Sequence, residues 1–366
     1  MDEREAYIAL NMMDGVGPVS VRTLAGALGG AAGVLLADRA ALQRVPGVAR
    51  DIVARILTQR DTVDVGAEQA HAAQLGARIV TMLDEEYPGP LKTIHDPPLA
   101  LYVRGTLELK DKHAIAVVGT RRASHYARAA AERLAAQLTR AGFVVISGLA
   151  RGVDTAAHQG ALKAGGRTLA VLGSALDRLY PPENAGLAEK AAADGAVLSE
   201  FRFGTEPGKT TFPMRNRIVS GLSMGVLVVE AGLKSGAMIT ARSALEQGRA
   251  VFAVPGRIDS PGSKGTHQLI RDGARLVEGI DDITAEFEFL LPATGARAAE
   301  RPAPSPALSE QEARLVDTLE QEGEMDVDAL SRRLGVPAAG MSALLLGLEM
   351  KRVVRMLPGR VVQRVR

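Results

Sequence analysis

From His113 to Glu278 short apolar runs alternate with helical patterns, and this alternation restricts the chain more than any other feature. The runs are Ala114 to Val118, Phe143 to Ser147, Arg167 to Leu172, Ala196 to Ser199, Val226 to Glu230 and Ala250 to Val254. They read as buried strands, so the pattern predicts an α/β domain whose parallel sheet is covered by helices on both faces. In such sheets ligands sit beyond the carboxyl ends of the strands, where backbone N–H groups and helix dipoles face outward.

Two of the strands leave through glycine-rich turns, Val118-Gly-Thr-Arg-Arg-Ala-Ser and Ile146-Ser-Gly-Leu-Ala-Arg-Gly-Val-Asp154. Neither turn has the spacing G-x-G-x-x-G, so the usual dinucleotide fingerprint is absent, whereas an anion site is supported. Gly119, Thr120 and Arg121 in the first turn, with Ser147 and Gly148 in the second, are its candidates. Arg122 and Arg151 either add charge there or are solvated surface arginines.

The segment Gly208 to Ile218 carries Lys209, Phe212, Arg215, Asn216 and Arg217: three cations, an amide and an aromatic ring in nine residues. Aromatics make up 3% of the chain and Trp is absent, so an exposed ring here is informative. Cations for phosphates beside a flat ring for a base suit a single-stranded nucleic acid. Pro213 makes the segment read as an exposed loop, followed by a helix from Ile218 and the strand to Glu230. Lys234, Ser235 and Gly236 then open the next helix. Between Glu200 and Arg275 eleven Lys and Arg stand against six Asp and Glu, a local excess of five in a chain of net charge +2. Gly208-Lys209-Thr210 imitates the end of a phosphate-loop motif, but position 203 holds Phe203 where the first glycine belongs.

Asp154 and His158 stand four apart on one helical face, either as an acid/base pair or as a capping Asp with a hydrogen-bonded His. Glu230 ends a strand near Lys234, either orienting the lysine or acting in catalysis. Cysteine is absent and the six histidines are scattered, which predicts no metal and no cofactor. The start lacks a basic segment followed by an apolar one, and no apolar run is long enough to span a bilayer, so the expectation is a soluble, cytoplasmic protein with no membrane partner.

Residues 1–72 read as a small helical domain with glycine turns at Asp14 to Ser20 and Val45 to Ala49. The first has the form of a helix-hairpin-helix turn able to hold a phosphate, or is a plain packing turn. Residues 75–290 form the sheet domain, with a strand at Gly76 to Met82 and an edge strand at Leu101-Tyr-Val. Residues 291–308, rich in Ala and Pro, read as a linker. Residues 309–366 give three helical patterns and a hairpin turning at Pro358-Gly359, a winged-helix-like arrangement. Its last helix, from Ala338, offers almost no side chain able to read base edges.

Several of these stretches, in this order, resemble the DNA-processing A (DprA/Smf) family of bacterial recombination mediators. The resemblance is carried by Tyr87-Pro with Ile94-His-Asp-Pro-Pro, Val118-Gly-Thr-Arg121, Ser147-Gly-Leu-Ala-Arg-Gly-Val-Asp-Thr-Ala-Ala-His158, Phe212-Pro-Met-Arg-Asn-Arg-Ile218, Lys234-Ser-Gly236 and Val254-Pro-Gly256. It implies an extended Rossmann-like domain, beside which the residues themselves read as a small helix-hairpin-helix or SAM-like amino-terminal domain and a winged-helix-like carboxyl-terminal one; these terminal domains vary across the family. It further implies binding of single-stranded DNA, protection of incoming DNA, dimerisation through the Rossmann-like domain, and loading of the RecA recombinase during transformation. Arg121, Lys209, Phe212 and Lys234 keep the family's motif positions, and Thr120 stands where serine is frequent. The competing expectation is a Rossmann-like nucleotide-processing enzyme such as a phosphoribohydrolase using Glu230 and Arg217, although its Pro-Gly-Gly-x-Gly-Thr loop is missing. A structural adaptor would leave the cations around Phe212 without a purpose.

Overall fold

A computed structural model describes residues 1–287, 308–351, 353–357 and 360–364. The chain divides into two compact units, Met1–Glu288 and Phe289–Arg366. The first begins with six helices, α1 (Glu3–Met12), α2 (Pro18–Leu28), α3 (Ala31–Leu36), α4 (Arg39–Arg44), α5 (Arg50–Gln59) and α6 (Val65–Gln74). Local chemistry sets their ends: Asp2 and Glu5 form a capping box at α1, and Pro18 stands where the first turn of α2 has no N–H partner to lose.

Nine strands follow: β1 (Ala77–Thr81), β2 (Ala100–Gly105), β3 (Ala114–Val118), β4 (Val144–Ser147), β5 (Thr168–Val171), β6 (Ala196–Ser199), β7 (Gly225–Val228), β8 (Ala250–Ala253) and β9 (Arg275–Leu276). They lie in one sheet in the order β1-β2-β6-β5-β4-β3-β7-β8-β9. From β6 to β9 every neighbour is parallel, while β2 is antiparallel to both β1 and β6. The helices of this unit are α7 (Gly89–Lys92), α8 (His125–Arg140), α9 (Val153–Lys163), α10 (Ala185–Asp194), α11 (Thr211–Gly221), α12 (Gly236–Glu246), α13 (Lys264–Arg271) and α14 (Asp281–Thr284). All of β3 to β7 is buried, as continuous apolar strands of a doubly covered sheet must be.

The predicted parallel sheet is therefore present, with two corrections. The segment around Leu101-Tyr-Val is no edge: β1 covers it, and Ala100 to Val103 are buried. Helix α11 starts at Thr211 and not near Ile218. Pro213 is its third residue, where its missing N–H breaks no intrahelical bond, so the proline that suggested a loop sits in a first turn.

The amino-terminal helices have their own core around Leu10, Leu24, Leu42 and Ile56. A second cluster joins Ile8, Met12 and Val65 of this segment to Ile79 and Tyr102 of the sheet, so that both belong to one unit. The second unit contains α15 (Glu310–Glu322), α16 (Val327–Leu334), α17 (Ala338–Met350) and a three-stranded sheet of β10 (Met325–Asp326), β12 (Val361–Arg364) and β11 (Val354–Leu357). Three helices with a hairpin match the winged-helix reading. The expected linker, apart from Leu308, and the Pro358-Gly359 turn fall outside the described residues. Among the described residues no helix is long and apolar enough to cross a membrane.

Candidate nucleic-acid interface

Strand order reverses between β3 and β7: the chain runs outward from β3 through β4, β5 and β6, then returns to the other side of β3. Loops leaving β3 and β7 diverge at such a point and leave a crevice. A cavity of about 400 Å³ opens there, lined by Gly119, Thr120, Arg121, Gly148, Phe212, Arg215, Asn216, Ser235 and Gly236, among others. Nine residues named from sequence thus meet on one wall or another of the same recess.

Close approach of backbones builds its floor. Gly152 has φ of +81°, and a Cβ on it would collide with the Thr120 carbonyl, so the β3 and β4 loops can touch only through glycine. At Gly148 a Cβ would run into the Arg215 guanidinium. Arg215, 5% exposed, donates through Nη1 to the carbonyls of Gly148, at 2.6 Å, and Val171. Its Nε donates to Asn216 Oδ1 at 3.2 Å, and Asn216 Nδ2 donates to the Gly236 carbonyl at 3.3 Å. The expected loop cation is thus a buried strut between the ends of β4 and β5, set into the cavity wall. Burial pulls the Arg215 pKa below the ordinary guanidinium range, against the nearby Asp154 carboxylate.

Arg121 is exposed and lies with Cζ 4.4 Å from the centroid of the half-buried Phe212 ring. A guanidinium over a ring face is a cation–π pair, worth roughly 0.5–1 kcal/mol at an exposed site. Among the described residues Arg121, its neighbour Arg122, Lys209 and Lys234 are all exposed and form no ion pair. Lys209 and Lys234 stand outside the lining of the cavity. Ser235 caps α12, accepting from Ala237 N–H at 3.4 Å, and the first turn of that helix faces the recess. Free cations beside a helix N-terminus give the crevice an anion-attracting rim.

Two candidates are corrected. Arg217 is 8% exposed and points away from the cavity: its Nε donates to Asp96 at 2.8 Å and its Nη2 to Glu200 at 2.6 Å. A guanidinium neutralised by two carboxylates has no charge left for a phosphate. Ser147 is fully buried, and its hydroxyl donates to the Val117 carbonyl at 2.6 Å, tying β4 to β3.

Asp154 and His158 do not pair. The Asp154 carboxylate accepts from Gly148 N–H at 3.1 Å and Ala150 N–H at 3.4 Å, holding the β4 turn, while Gly152 occupies the cap position of α9. Burial pushes its pKa up, against the pull of Arg215. His158 Nδ1 lies 2.8 Å from Thr168 Oγ1, and since that hydroxyl donates to the Val145 carbonyl at 2.7 Å, the ring nitrogen is the donor. Complete burial holds His158 neutral, its pKa lowered to about 3. Glu230 accepts from Ser124 N–H at 2.8 Å at the start of α8, and among the described residues it forms no hydrogen bond or ion pair with Lys234.

Sequence reasoning passed over Asp154 as a turn anchor, Pro213 and Thr240 in the lining, and Tyr180. The last had a signal, an aromatic before two prolines in a chain with five tyrosines. The loop that delivers Lys209 is fastened from the amino-terminal helices. Glu68 accepts from both Tyr102 Oη at 2.7 Å and Phe203 N–H at 2.9 Å, and the Phe203 ring packs 4.3 Å from His71.

A family model described as DNA recombination-mediator protein A matches residues 78–288. One for the DprA winged helix domain matches residues 299–360. The chain is 46% identical over 209 residues to the DNA processing protein DprA of Streptococcus pneumoniae, a span covering 57% of this chain and 74% of that protein. It is 40% identical over 285 residues to protein Smf of Escherichia coli, covering 76% and 75% respectively. The X-ray structure of the pneumococcal DNA processing protein A superposes with a TM-score of 0.67 at 35% identity, over 78% of this chain and 99% of that one. A Helicobacter pylori DNA processing protein A, whose structure concerns its single-stranded DNA binding mode, gives 0.52 at 33% identity over 58% and 96%.

Proposed function

Because this chain belongs to the DNA-processing protein A (DprA/Smf) family of DNA recombination mediators, we propose that it binds single-stranded DNA in the crevice between β3 and β7. The observation that carries this reading is the unpaired Arg121 lying over the Phe212 ring at the mouth of that crevice. Arg121, Arg122, Lys209 and Lys234 meet phosphates, with the first turn of α12 supplying N–H donors, and the ring and the Arg121 guanidinium offer planes on which bases stack. A duplex keeps its bases stacked inside and cannot place them against such planes. Gly119, Thr120, Gly148, Asn216, Ser235 and Gly236 shape the recess, and Arg215 is its buried cation.

Protection of incoming DNA, delivery of the strand to the RecA recombinase and homodimerisation through the Rossmann-like domain belong to the same reading by family membership. So does a non-enzymatic role. The engagement of Glu230 with Ser124, and of Arg217 with Glu200 and Asp96, supports it against a phosphoribohydrolase, because both groups that enzyme would use are already occupied.

Filter binding with single-stranded and duplex oligonucleotides of equal length tests the proposal. The expected outcome is a preference for the single strand and a loss of affinity in Arg121→Ala. Equal affinity for both forms, or an unaffected Arg121→Ala, would overturn it.

A further inference from the structure

The aromatic surface does not end at Phe212. Tyr180, 36% exposed, has its ring centroid 6.1 Å from that of Phe212 at an interplanar angle of 54°. The Arg151 guanidinium carbon in turn lies 5.6 Å from the Tyr180 centroid, and Arg151 Nη1 donates to Tyr180 Oη at 3.3 Å. Arg121, Phe212, Tyr180 and Arg151 therefore form one contiguous run of contacts, two rings side by side with a guanidinium against each. Arg151 is in turn paired with Glu183. Its charge is compensated, so it supports the ring more than it attracts phosphate.

The segment carrying Tyr180 is also fixed in place. Asn184, buried four residues on, donates through Nδ2 to the Leu149 carbonyl at 2.8 Å and to Thr155 Oγ1 at 2.9 Å. That ties the segment after Tyr180 to the β4 turn and to α9, the elements that form the floor of the crevice. A ring mounted so firmly yet left exposed is a costly arrangement for packing alone, since water still reaches a large apolar face.

Resting on the reading of the crevice as a single-strand site, we propose that Tyr180 is a second stacking platform, which takes the nucleotide next to the one held at Phe212 and directs the strand out of the crevice over Arg151. The ring-to-ring distance of 6.1 Å suits this, because neighbouring bases of an extended strand can separate to about that distance, one on each ring. The recognised class is a single-stranded polynucleotide of any sequence, since every base has a stacking face.

The chain contains no Trp, so a single tryptophan introduced by Tyr180→Trp reports on this position alone, and Phe212→Trp reports on the other. Titrated with a fifteen-residue oligothymidylate, both full-length variants are expected to bind, with emission quenched at both positions. Tyr180→Ala is expected to lose roughly 5- to 150-fold in affinity, the range of one stacking contact, with its salt slope unaltered. Tyr180→Phe keeps the ring and is expected to bind as wild type does, which separates stacking from the Arg151 hydrogen bond. Quenching at 212 with unchanged emission at 180 would overturn the second platform and leave the crevice reading standing. So would a Tyr180→Ala protein of wild-type affinity. A wild-type chain that does not bind the oligomer overturns both readings together.

Discussion

Arg217 and Phe212 stand five residues apart and were expected to serve one ligand, yet their surroundings assign them opposite tasks. Arg217 neutralises Glu200, a buried carboxyl whose pKa burial pushes up even beside the guanidinium. Removing one member of such a pair leaves the other as an uncompensated buried charge, a loss of roughly 3–5 kcal/mol of folding stability. Phe212 is half-buried, and its ring lies under a guanidinium and lines the cavity. Phe212→Ala is therefore expected to cost about 1–3 kcal/mol in single-strand binding and much less in stability. Thermal melting and binding measured on both variants check this. Arg217→Ala should show the larger fall in melting temperature, and Phe212→Ala the larger loss of affinity per degree of melting shift. The reverse ranking would return Arg217 to the interface and Phe212 to the core.

At the scale of elements, the pairing of β4, β5 and α9 depends on a neutral imidazole. The folded-state pKa of His158, about 3, lies below the ordinary value of 6.5. Between those values the unfolded chain binds a proton that the folded chain refuses. The contribution is complete above pH 6.5 and is lost as pH falls toward 3, at up to about 1.4 kcal/mol per pH unit. Asp154, whose pKa burial raises, acts with the opposite sign: its contribution is fullest when it is protonated and declines as pH rises. The difference between wild type and His158→Gln removes that opposing part. Since all five tyrosines lie in Met1–Glu288, tyrosine emission in urea follows this unit alone. The stability difference is expected to shrink as pH drops from 7 to 4, and a constant difference would mean that the folded ring accepts a proton. The same elements show what the sequence could reveal. Strands β3 to β8 were legible because a doubly covered sheet demands apolar runs, and the glycine turns because only glycine permits their approach. The neighbours of β2 were not, since the alternation Leu101-Tyr-Val says nothing about which strand lies beside it. The start of α11 was hidden because a proline reads the same in a loop and in a first helical turn. Arg217 was misread because one of its partners, Asp96, is 121 residues away, a distance that only folding closes.

The whole molecule carries a net charge of only +2, so its attraction for a polyanion comes from where the cations stand and not from how many there are. Arg121, Arg122, Lys209 and Lys234 are exposed and without an ion pair among the described residues, and all four belong to Met1–Glu288. Each phosphate they neutralise releases condensed counterions, which gives a log–log salt slope of about 0.7 per contact on a single strand. Four contacts predict a slope of about −3, with Arg217 excluded by its carboxylate partners. Lys209→Glu removes one contact and adds repulsion, so affinity should fall more than for Lys209→Ala while both slopes shrink by about 0.7. A chain ending at Glu288 should keep the full slope, because none of the four cations lies in Phe289–Arg366. Binding isotherms at four salt concentrations between 50 and about 300 mM would measure all of these. A wild-type slope near zero would mean that phosphates are not engaged, and a slope that drops by two contacts or more on truncation would locate part of the interface in the winged-helix unit.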